Sequence, residues 1–295
     1  MRAQILDGTE IAEQVRQRVA DAVSRIAESG GVVPGLATVL VGENPASLSY
    51  VRSKQRTCAK LGINAVDIRL PADTPTEQVE SIIADLNRRT DVHGILIQQP
   101  LPQHLDAEVL VGAVNPEKDV DGFHPVNLGR LVRGQPCLAP CTPLGIIEIL
   151  SRSGIPTSGA HVVIVGRSLL VGRPLASLLI QKSESANATV TVCHSATKDL
   201  AHHTRAADIL VAAIGRPEFV GPDMVRSGAV VIDVGINRVD DPSRKRGYRL
   251  TGDVQFEAVG EVASAITPVP GGVGPMTVAM LMRNTLVAAV GGPVA

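Results

Sequence analysis

The sequence predicts an α/β protein of two domains built on parallel sheets. The chain has 295 residues, about the length of two domains. Its apolar mass is Val, Ile, Leu and Ala, with no Trp, two Tyr and three Phe. That is the composition of strands covered by helices on both faces. Short apolar runs also alternate with segments of helical period, which implies right-handed βαβ crossovers.

The elements follow in order. Ile11, Val15, Val19, Val23 and Ile26 recur at helical spacing, with Asp7 three residues before Glu10 as a cap. Residues 36–41 form an apolar run without polar alternation, as a doubly covered strand should. A helix is expected over 47–61 and a strand over 65–70. Thr74, Pro75 and Glu77 read as a hydroxyl cap, a proline at the first helical position and an acid in the first turn. The stripe Val79, Ile82, Ile83 and Leu86 continues that helix, and 94–97 is a third strand. Residues 115–143 are rich in Pro, Gly, Asp and Asn and show no period, so they read as a long functional or boundary loop. A linking helix over 144–150 follows. A second rhythm then places strands at 161–165, 188–193, 208–214 and 229–234, a helix at 173–180, and a last helix over about 276–290. Residues 240–248 are charged and read as a surface loop or hairpin tip.

Composition narrows the function classes. The 28 Lys and Arg nearly cancel 29 Asp and Glu, leaving a net charge of −1. This argues against a protein that coats nucleic acid or an anionic membrane. Scarce aromatics argue against single-strand binding by base stacking. Of Cys58, Cys137, Cys141 and Cys193 only the middle two are close, so neither a zinc site nor a disulfide framework is expected. Asp7 interrupts the N-terminus before any apolar run, and no stretch of about 18 apolar residues is found, so neither a secretory signal nor a membrane span is expected. A cytoplasmic location is the default.

Three segments carry candidate chemistry. The run from His161 to Pro174 is a strand, a glycine turn at Gly166 and a helix start near Gly172, the form of a phosphate-binding turn. Ser168 stands in place of a middle glycine, and an ordinary tight turn remains the bland reading. The next strand runs into His194, Ser195 and Thr197 with no acid for a ribose 2′-hydroxyl, while Arg167 lies in the turn. A cation with hydroxyls suits a 2′-phosphate, which favours NADP over NAD. In the second segment, Tyr50 and Lys54 lie four apart on one helix face. Lys54 could stabilise an anion or act as a base, and Tyr50 offers a ring to a flat substrate. Beside Arg52, Arg56 and Lys60, the same face also reads as a plain solvated basic surface. In the third, Gln98 ends a parallel strand, where open α/β sheets bind ligands, and Asp121 lies in the long loop. A carboxylate there could accept a paired N–H edge such as that of a pterin, or bond its own turn. His124 reads as a satisfied loop histidine, and His202 and His203 as surface residues.

Taken together, the runs 50–54 (Tyr-Val-Arg-Ser-Lys), 98–102 (Gln-Gln-Pro-Leu-Pro), 118–123 (Lys-Asp-Val-Asp-Gly-Phe), 140–143 (Pro-Cys-Thr-Pro), 166–168 (Gly-Arg-Ser) and 268–277 resemble the bifunctional methylenetetrahydrofolate dehydrogenase/methenyltetrahydrofolate cyclohydrolase family over nearly the whole chain. Gln99 and the Leu169–Leu170 pair depart from the family's habit. The resemblance implies a three-layer α/β folate domain over 1–143 plus 275–295 and a Rossmann-like NADP domain over 144–274, with the active site in the cleft between them. It implies that Tyr50 stacks on the aminobenzoyl ring, Lys54 is the central catalytic residue, Gln98 holds Lys54 and Asp121 anchors the pterin. Gly166, Arg167, Ser168 and Ser195 would contact the cofactor, Ile236 would line the nicotinamide side, and Pro270 and Gly272 would border the folate. A homodimer through the NADP domain is implied, and no metal. The competing readings are a dehydrogenase with little cyclohydrolase activity, another NADP dehydrogenase of the shikimate type, and a binding protein without turnover.

Overall fold

A computed structural model describes residues 2–244 and 247–292. The chain divides into two compact units, one of Met1–Ala12 with Thr142–Thr277 and one of Glu13–Cys141 with Val278–Ala295. Strand β1 (Gln4–Ile5) leads into helix α1 (Gly8–Glu28). The carboxylate of Asp7 accepts from the backbone N–H of Thr9 and of Glu10, at 2.8 and 3.2 Å, so it caps α1 as its position predicts.

The unit of residues 13–141 is a three-stranded parallel sheet of β2 (Gly35–Val41), β3 (Asn64–Leu70) and β4 (Gly94–Ile97), with β2 in the centre. Between them run α2 (Pro45–Leu61) and α3 (Thr76–Arg88). Every residue of β2 is buried. Ala37, Val39 and Val41 join Val79, Ile83 and Leu86 of α3 in one core. Leu36, Leu40 and Leu96 are equally buried, and because neighbouring side chains alternate, the opposite face is covered too. The start of α3 corrects the expected cap: the helix begins at Thr76, Pro75 is the capping position, and the Thr74 hydroxyl donates instead to Pro71 O at 2.8 Å. At its other end, Lys118 Nζ donates to Leu86 O, Asn87 O and Arg89 O, which closes carbonyls that a helix end leaves open.

The long aperiodic stretch is less irregular than its sequence suggests. It contains α5 (Pro125–Val132), preceded by α4 (Ala107–Ala113) and followed by α6 (Cys141–Arg152). His124 Nδ1 accepts from Val126 N at 3.1 Å and caps α5, whose eight residues bury only Asn127 and Leu131. So short a buried face leaves no readable period.

The other unit holds a six-stranded, all-parallel sheet in the order β1-β11-β8-β7-β5-β6. Its elements are β5 (His161–Val165), α7 (Gly172–Leu179), β6 (Thr189–Cys193), α8 (Leu200–Arg205), β7 (Ile209–Ala212), β8 (Val230–Asp233), the hairpin β9 (Asn237–Asp240) and β10 (Tyr248–Thr251), α9 (Phe256–Val259) and β11 (Ala265–Ile266). Val163, Val165, Leu210, Ala212, Val231 and Ile266 form one core face. From β5 onward the spatial order is 2-1-3-4-5, so the direction of winding reverses between β5 and β7. A doubly wound sheet opens its ligand crevice at such a reversal, outside the carboxyl ends of the strands.

The domain boundaries differ from those expected. Residues 1–12 belong with the six-stranded sheet because Gln4 and Ile5 pair with Ala265 and Ile266. A two-residue strand carries no periodic signal. The last helix, α10 (Val273–Val290), is 18 residues long with a mean hydropathy of 1.3, long and apolar enough to cross a membrane by length and composition. This corrects the expectation that no such stretch exists. Half of that span is buried inside the fold. Within it, Met282 Sδ lies 3.6 Å from Cys58 Sγ, and buried Asn284 donates to Val120 O at 2.9 Å and Ala139 O at 3.0 Å. Asn284→Ala would strand both carbonyls, so urea denaturation should show a loss of about 2–3 kcal/mol, and a loss below about 0.5 kcal/mol would contradict this account.

Candidate active site

The unit of residues 13–141 gathers four chemically active side chains. Helix α2 carries Tyr50 and, one turn on, Lys54. Tyr50 is 53% exposed, while Lys54 is partly buried. Lys54 Nζ donates to Gln98 Oε1 at 2.9 Å. Gln98 follows β4, and its backbone N–H continues the ladder to Val39 O at 2.9 Å. Its amide nitrogen donates to Gln99 O at 2.6 Å, which turns the amide oxygen toward the lysine. The structure thus brings Lys54 and Gln98 together, and Lys54 leaves the solvated face of Arg52, Arg56 and Lys60.

Asp121 sits in the turn that follows Lys118. The turn is shaped by Asp119, a buried carboxylate that accepts from Gly122 N at 3.2 Å, His124 N at 2.8 Å and Asn127 Nδ2 at 2.9 Å. Cys141, at the first position of α6, donates its thiol to Val120 O at 3.3 Å. Electrostatics joins these groups. Burial pulls the Lys54 ammonium below the ordinary lysine range, opposed by the charge of Asp121 and, less strongly, by Cys141 and Cys58. Burial pushes the Asp121 carboxyl up to about 6, against the attraction of Lys54; Asp119 pushes it further up, and a hydrogen bond with Cys141 pulls it down. Burial also raises the thiols, Cys58 to about 12 and Cys141 well above its usual value. Both thiols are therefore neutral neighbours, not nucleophiles. The sequence offers these cysteines as zinc or disulfide partners, with Cys141 also inside the family-like run 140–143, and does not single out Asp119. The spacing of Cys58 four residues after Lys54 was the available signal.

The six-stranded unit holds the phosphate-type turn. Gly166 has φ +130°, and a Cβ there would lie 2.2 Å from Ala213 O. A Cβ on Gly172 would lie 2.1 Å from Gly166 O. The turn can close only with glycine at both places, which brings the end of β5 and the start of α7 together. Ser168 Oγ accepts from Val171 N at 3.1 Å, while Arg167 stays exposed. Ser195 is also exposed and follows β6, the parallel neighbour of β5, so it emerges at the same edge as Arg167 and Ser168. Ile236, between β8 and β9, is 53% exposed. A glycine cradle with a nearby cation and hydroxyls fits a phosphorylated dinucleotide. Pro270 and Gly272 fall in this same unit, in the turn before α10, where Thr9 N donates to Gly271 O at 3.0 Å. Among the described residues no group of three or more His, Cys, Asp or Glu could hold a metal ion.

Residues 6–121 match the family described as tetrahydrofolate dehydrogenase/cyclohydrolase, catalytic domain, and residues 140–291 the NAD(P)-binding domain of the same family. The chain is 57% identical over 284 residues to Bifunctional protein FolD of Chlorobium phaeovibrioides, covering 96% of each chain. Among solved structures it is similar to the bifunctional FolD methylenetetrahydrofolate dehydrogenase/cyclohydrolase of Campylobacter jejuni, with 41% identity, a TM-score of 0.92 and coverage of 98% of this chain and 99% of that one. It is also similar to the Trypanosoma brucei methylenetetrahydrofolate dehydrogenase-cyclohydrolase complexed with NADP cofactor and inhibitor, with 40% identity, a TM-score of 0.91 and 98% coverage of both.

The coupling of Lys54 to Asp121 has a measurable sign. The native state holds the Asp121 proton up to about pH 6, above the unfolded value of 3.8, so this group's contribution to stability is full below pH 3.8 and is lost as pH rises through 6. Carboxyl NMR should give Asp121 a midpoint near 6, and Lys54→Met should raise it, since the opposing cation is gone. A midpoint left unchanged by Lys54→Met would contradict the coupling.

Proposed function

The chain belongs to the tetrahydrofolate dehydrogenase/cyclohydrolase family, and on that premise we propose how its residues divide the work. It is a bifunctional enzyme of one-carbon metabolism. It oxidises 5,10-methylenetetrahydrofolate to 5,10-methenyltetrahydrofolate with NADP, then hydrolyses that product to 10-formyltetrahydrofolate. The unit of Glu13–Cys141 and Val278–Ala295 takes the folate, and that of Thr142–Thr277 takes the NADP. The observation that carries this assignment is the partly buried Lys54 ammonium held at 2.9 Å by Gln98 beside Asp121.

When bound, NADP supplies the hydride acceptor. The glycine turn from Gly166 to Gly172 would cradle its pyrophosphate, Arg167 and Ser168 with Ser195 would take the 2′-phosphate side, and Ile236 would offer an apolar surface to the nicotinamide. Tyr50 stacks on the aminobenzoyl ring, and the Asp121 carboxylate accepts the paired N–H edge of the pterin. In the oxidation, the methylene carbon loses a hydride and the resulting positive charge spreads over N5 and N10. No side chain need move a proton, so the residues act by positioning. In the hydrolysis, Lys54 works as a neutral amine, a state its burial favours. It takes a proton from water as the water oxygen bonds to the methenyl carbon. The carbon–N5 bond then breaks, the hydroxyl proton ends on N5, the formyl group remains on N10, and Lys54 releases its proton to solvent. Gln98 fixes the direction from which Lys54 approaches.

We place the enzyme in the cytoplasm as a homodimer that meets through the NADP unit. Exposed Val192 on the edge strand β6, with exposed Leu169 and Leu170 in the turn after β5, supports that face.

One absorbance assay with separate channels for NADPH and methenyltetrahydrofolate tests the division of labour. Lys54→Ala should cut hydrolysis by at least about 100-fold while NADP still binds. Unchanged hydrolysis would remove Lys54 from its role. In the same assay Arg167→Ala should weaken NADP by about 10- to 100-fold and leave NAD alone. Equal losses for both cofactors would remove Arg167 from the 2′-phosphate.

A further inference from the structure

Two buried carboxylates in the six-stranded unit lie outside every role assigned above. Asp253 is fully buried and Asp233 is 3% exposed. Neither is in an ion pair among the described residues. They are satisfied by backbone donors instead. Asp253 Oδ2 accepts from Ile214 N at 2.7 Å and Gly215 N at 3.0 Å, and Oδ1 accepts from Arg216 N at 2.9 Å and from Asn237 Nδ2 at 2.8 Å. Three successive N–H groups converging on one point form an anion-binding concavity. Here the chain fills that concavity with its own carboxylate.

Asp233 extends the arrangement by one step. Its Oδ1 accepts from Gly235 N at 3.0 Å and Asp253 N at 2.9 Å, and its Oδ2 from Val254 N at 2.9 Å. Asp253 therefore has its backbone fixed by Asp233 while its side chain fixes two other loops. A Cβ on Gly235 would lie 2.3 Å from Asp253 Oδ1, so the loop after β8 is drawn as close to the carboxylate as a backbone can come.

The two loops matter because of where they emerge. Residues 213–216 follow β7 and residues 234–236 follow β8, both at carboxyl ends of adjacent parallel strands. The glycine turn at Gly166 emerges at the same edge, against Ala213 O. Ile236 stands between the two tethered residues Gly235 and Asn237, and it is held out to solvent, 53% exposed. A loop with nothing to bind could be closed by neutral side chains without burying two carboxylates that no ion pair among the described residues compensates.

We propose that Asp253 is a positioning residue for the dinucleotide: supported by Asp233, it locks the loops after β7 and β8 into the shape that receives the nicotinamide half and presents Ile236 to it. This rests on the reading of the unit as the NADP site. Asp253 acts through Ile214–Arg216 and through Ile236, and touches neither folate nor cofactor.

The test uses the full-length enzyme, with Asp253→Asn and Asn237→Ala compared to the unaltered chain. In Asp253→Asn the amide nitrogen cannot accept from the loop, so the KM and the calorimetric Kd for NADP should rise by about 10- to 100-fold. Hydrolysis of methenyltetrahydrofolate without any nicotinamide cofactor should keep its rate, and the KM for methylenetetrahydrofolate should hold within about twofold. Asn237→Ala removes one donor only and should raise the KM for NADP by about 3- to 10-fold. It carries the test if Asp253→Asn does not fold. A folded variant with unchanged KM for NADP overturns the proposal, as does equal loss of hydrolysis and NADP-linked oxidation, which would mark a general structural role. An unaltered enzyme for which calorimetry finds no NADP binding would overturn the reading of the unit, and this proposal with it.

Discussion

The site depends on keeping a lysine out of water while still giving its ammonium a partner. An isolated buried ammonium is expensive, and a fully paired one would be locked in its charged form. Lys54 sits between these limits. Its direct partner is the neutral oxygen of Gln98, and the carboxylate that attracts it, Asp121, is itself pushed toward neutrality by burial. Burial thus brings two groups of opposite sign nearer to neutral pH than either would stand in solution, and their mutual attraction opposes that shift without cancelling it. That is the condition for passing protons both ways, and it follows from where α2, β4 and the turn after Lys118 place three side chains.

A second device recurs in both units. Asp119 gathers Gly122 N, His124 N and Asn127 Nδ2, and Asp253 gathers the N–H groups of residues 214–216. In each case a buried carboxylate serves as the core of a loop. Loops at the edges of parallel sheets have too few apolar side chains to fix their shape by packing, and their backbone donors would otherwise face solvent or a ligand. A single carboxylate closes several donors and leaves the flanking side chains, Asp121 in one unit and Ile236 in the other, with one orientation.

Much of this was legible in the residues. β4 and β5 fall on the expected bounds, because short apolar runs buried on both faces have a plain signature. The turn from Gly166 to Gly172 was also legible, since only glycine permits its close approaches. The pairing of Lys54 with Gln98 could be drawn from the family resemblance but not from periodicity, which favoured a solvated basic face. β1 and β11 were invisible because two-residue strands have no pattern and are fixed by pairing alone. Helix α5 was hidden by its short buried face, and Asp119 by proximity to the more conspicuous Asp121. Hydrogen bonds to backbone N–H groups leave no periodic trace in a sequence, which is why Asp233 and Asp253 emerge only with coordinates.

The pairing of β1 with β11 also bears on synthesis. The strand nearest the start of the chain must wait for Ala265 and Ile266 before it has a neighbour, and the unit of residues 13–141 takes its last helical segment from residues beyond 277. On the ribosome, therefore, one unit is not complete before Ala265 and Ile266 have been made, nor the other before the residues beyond 277. Closing contacts across more than 250 residues carries a loop-entropy cost, and the exposed edge of β11 or of its partner is unprotected in the meantime. The nascent chain is thus open to misassociation while Gln4–Ile5 and Ala265–Ile266 have yet to meet.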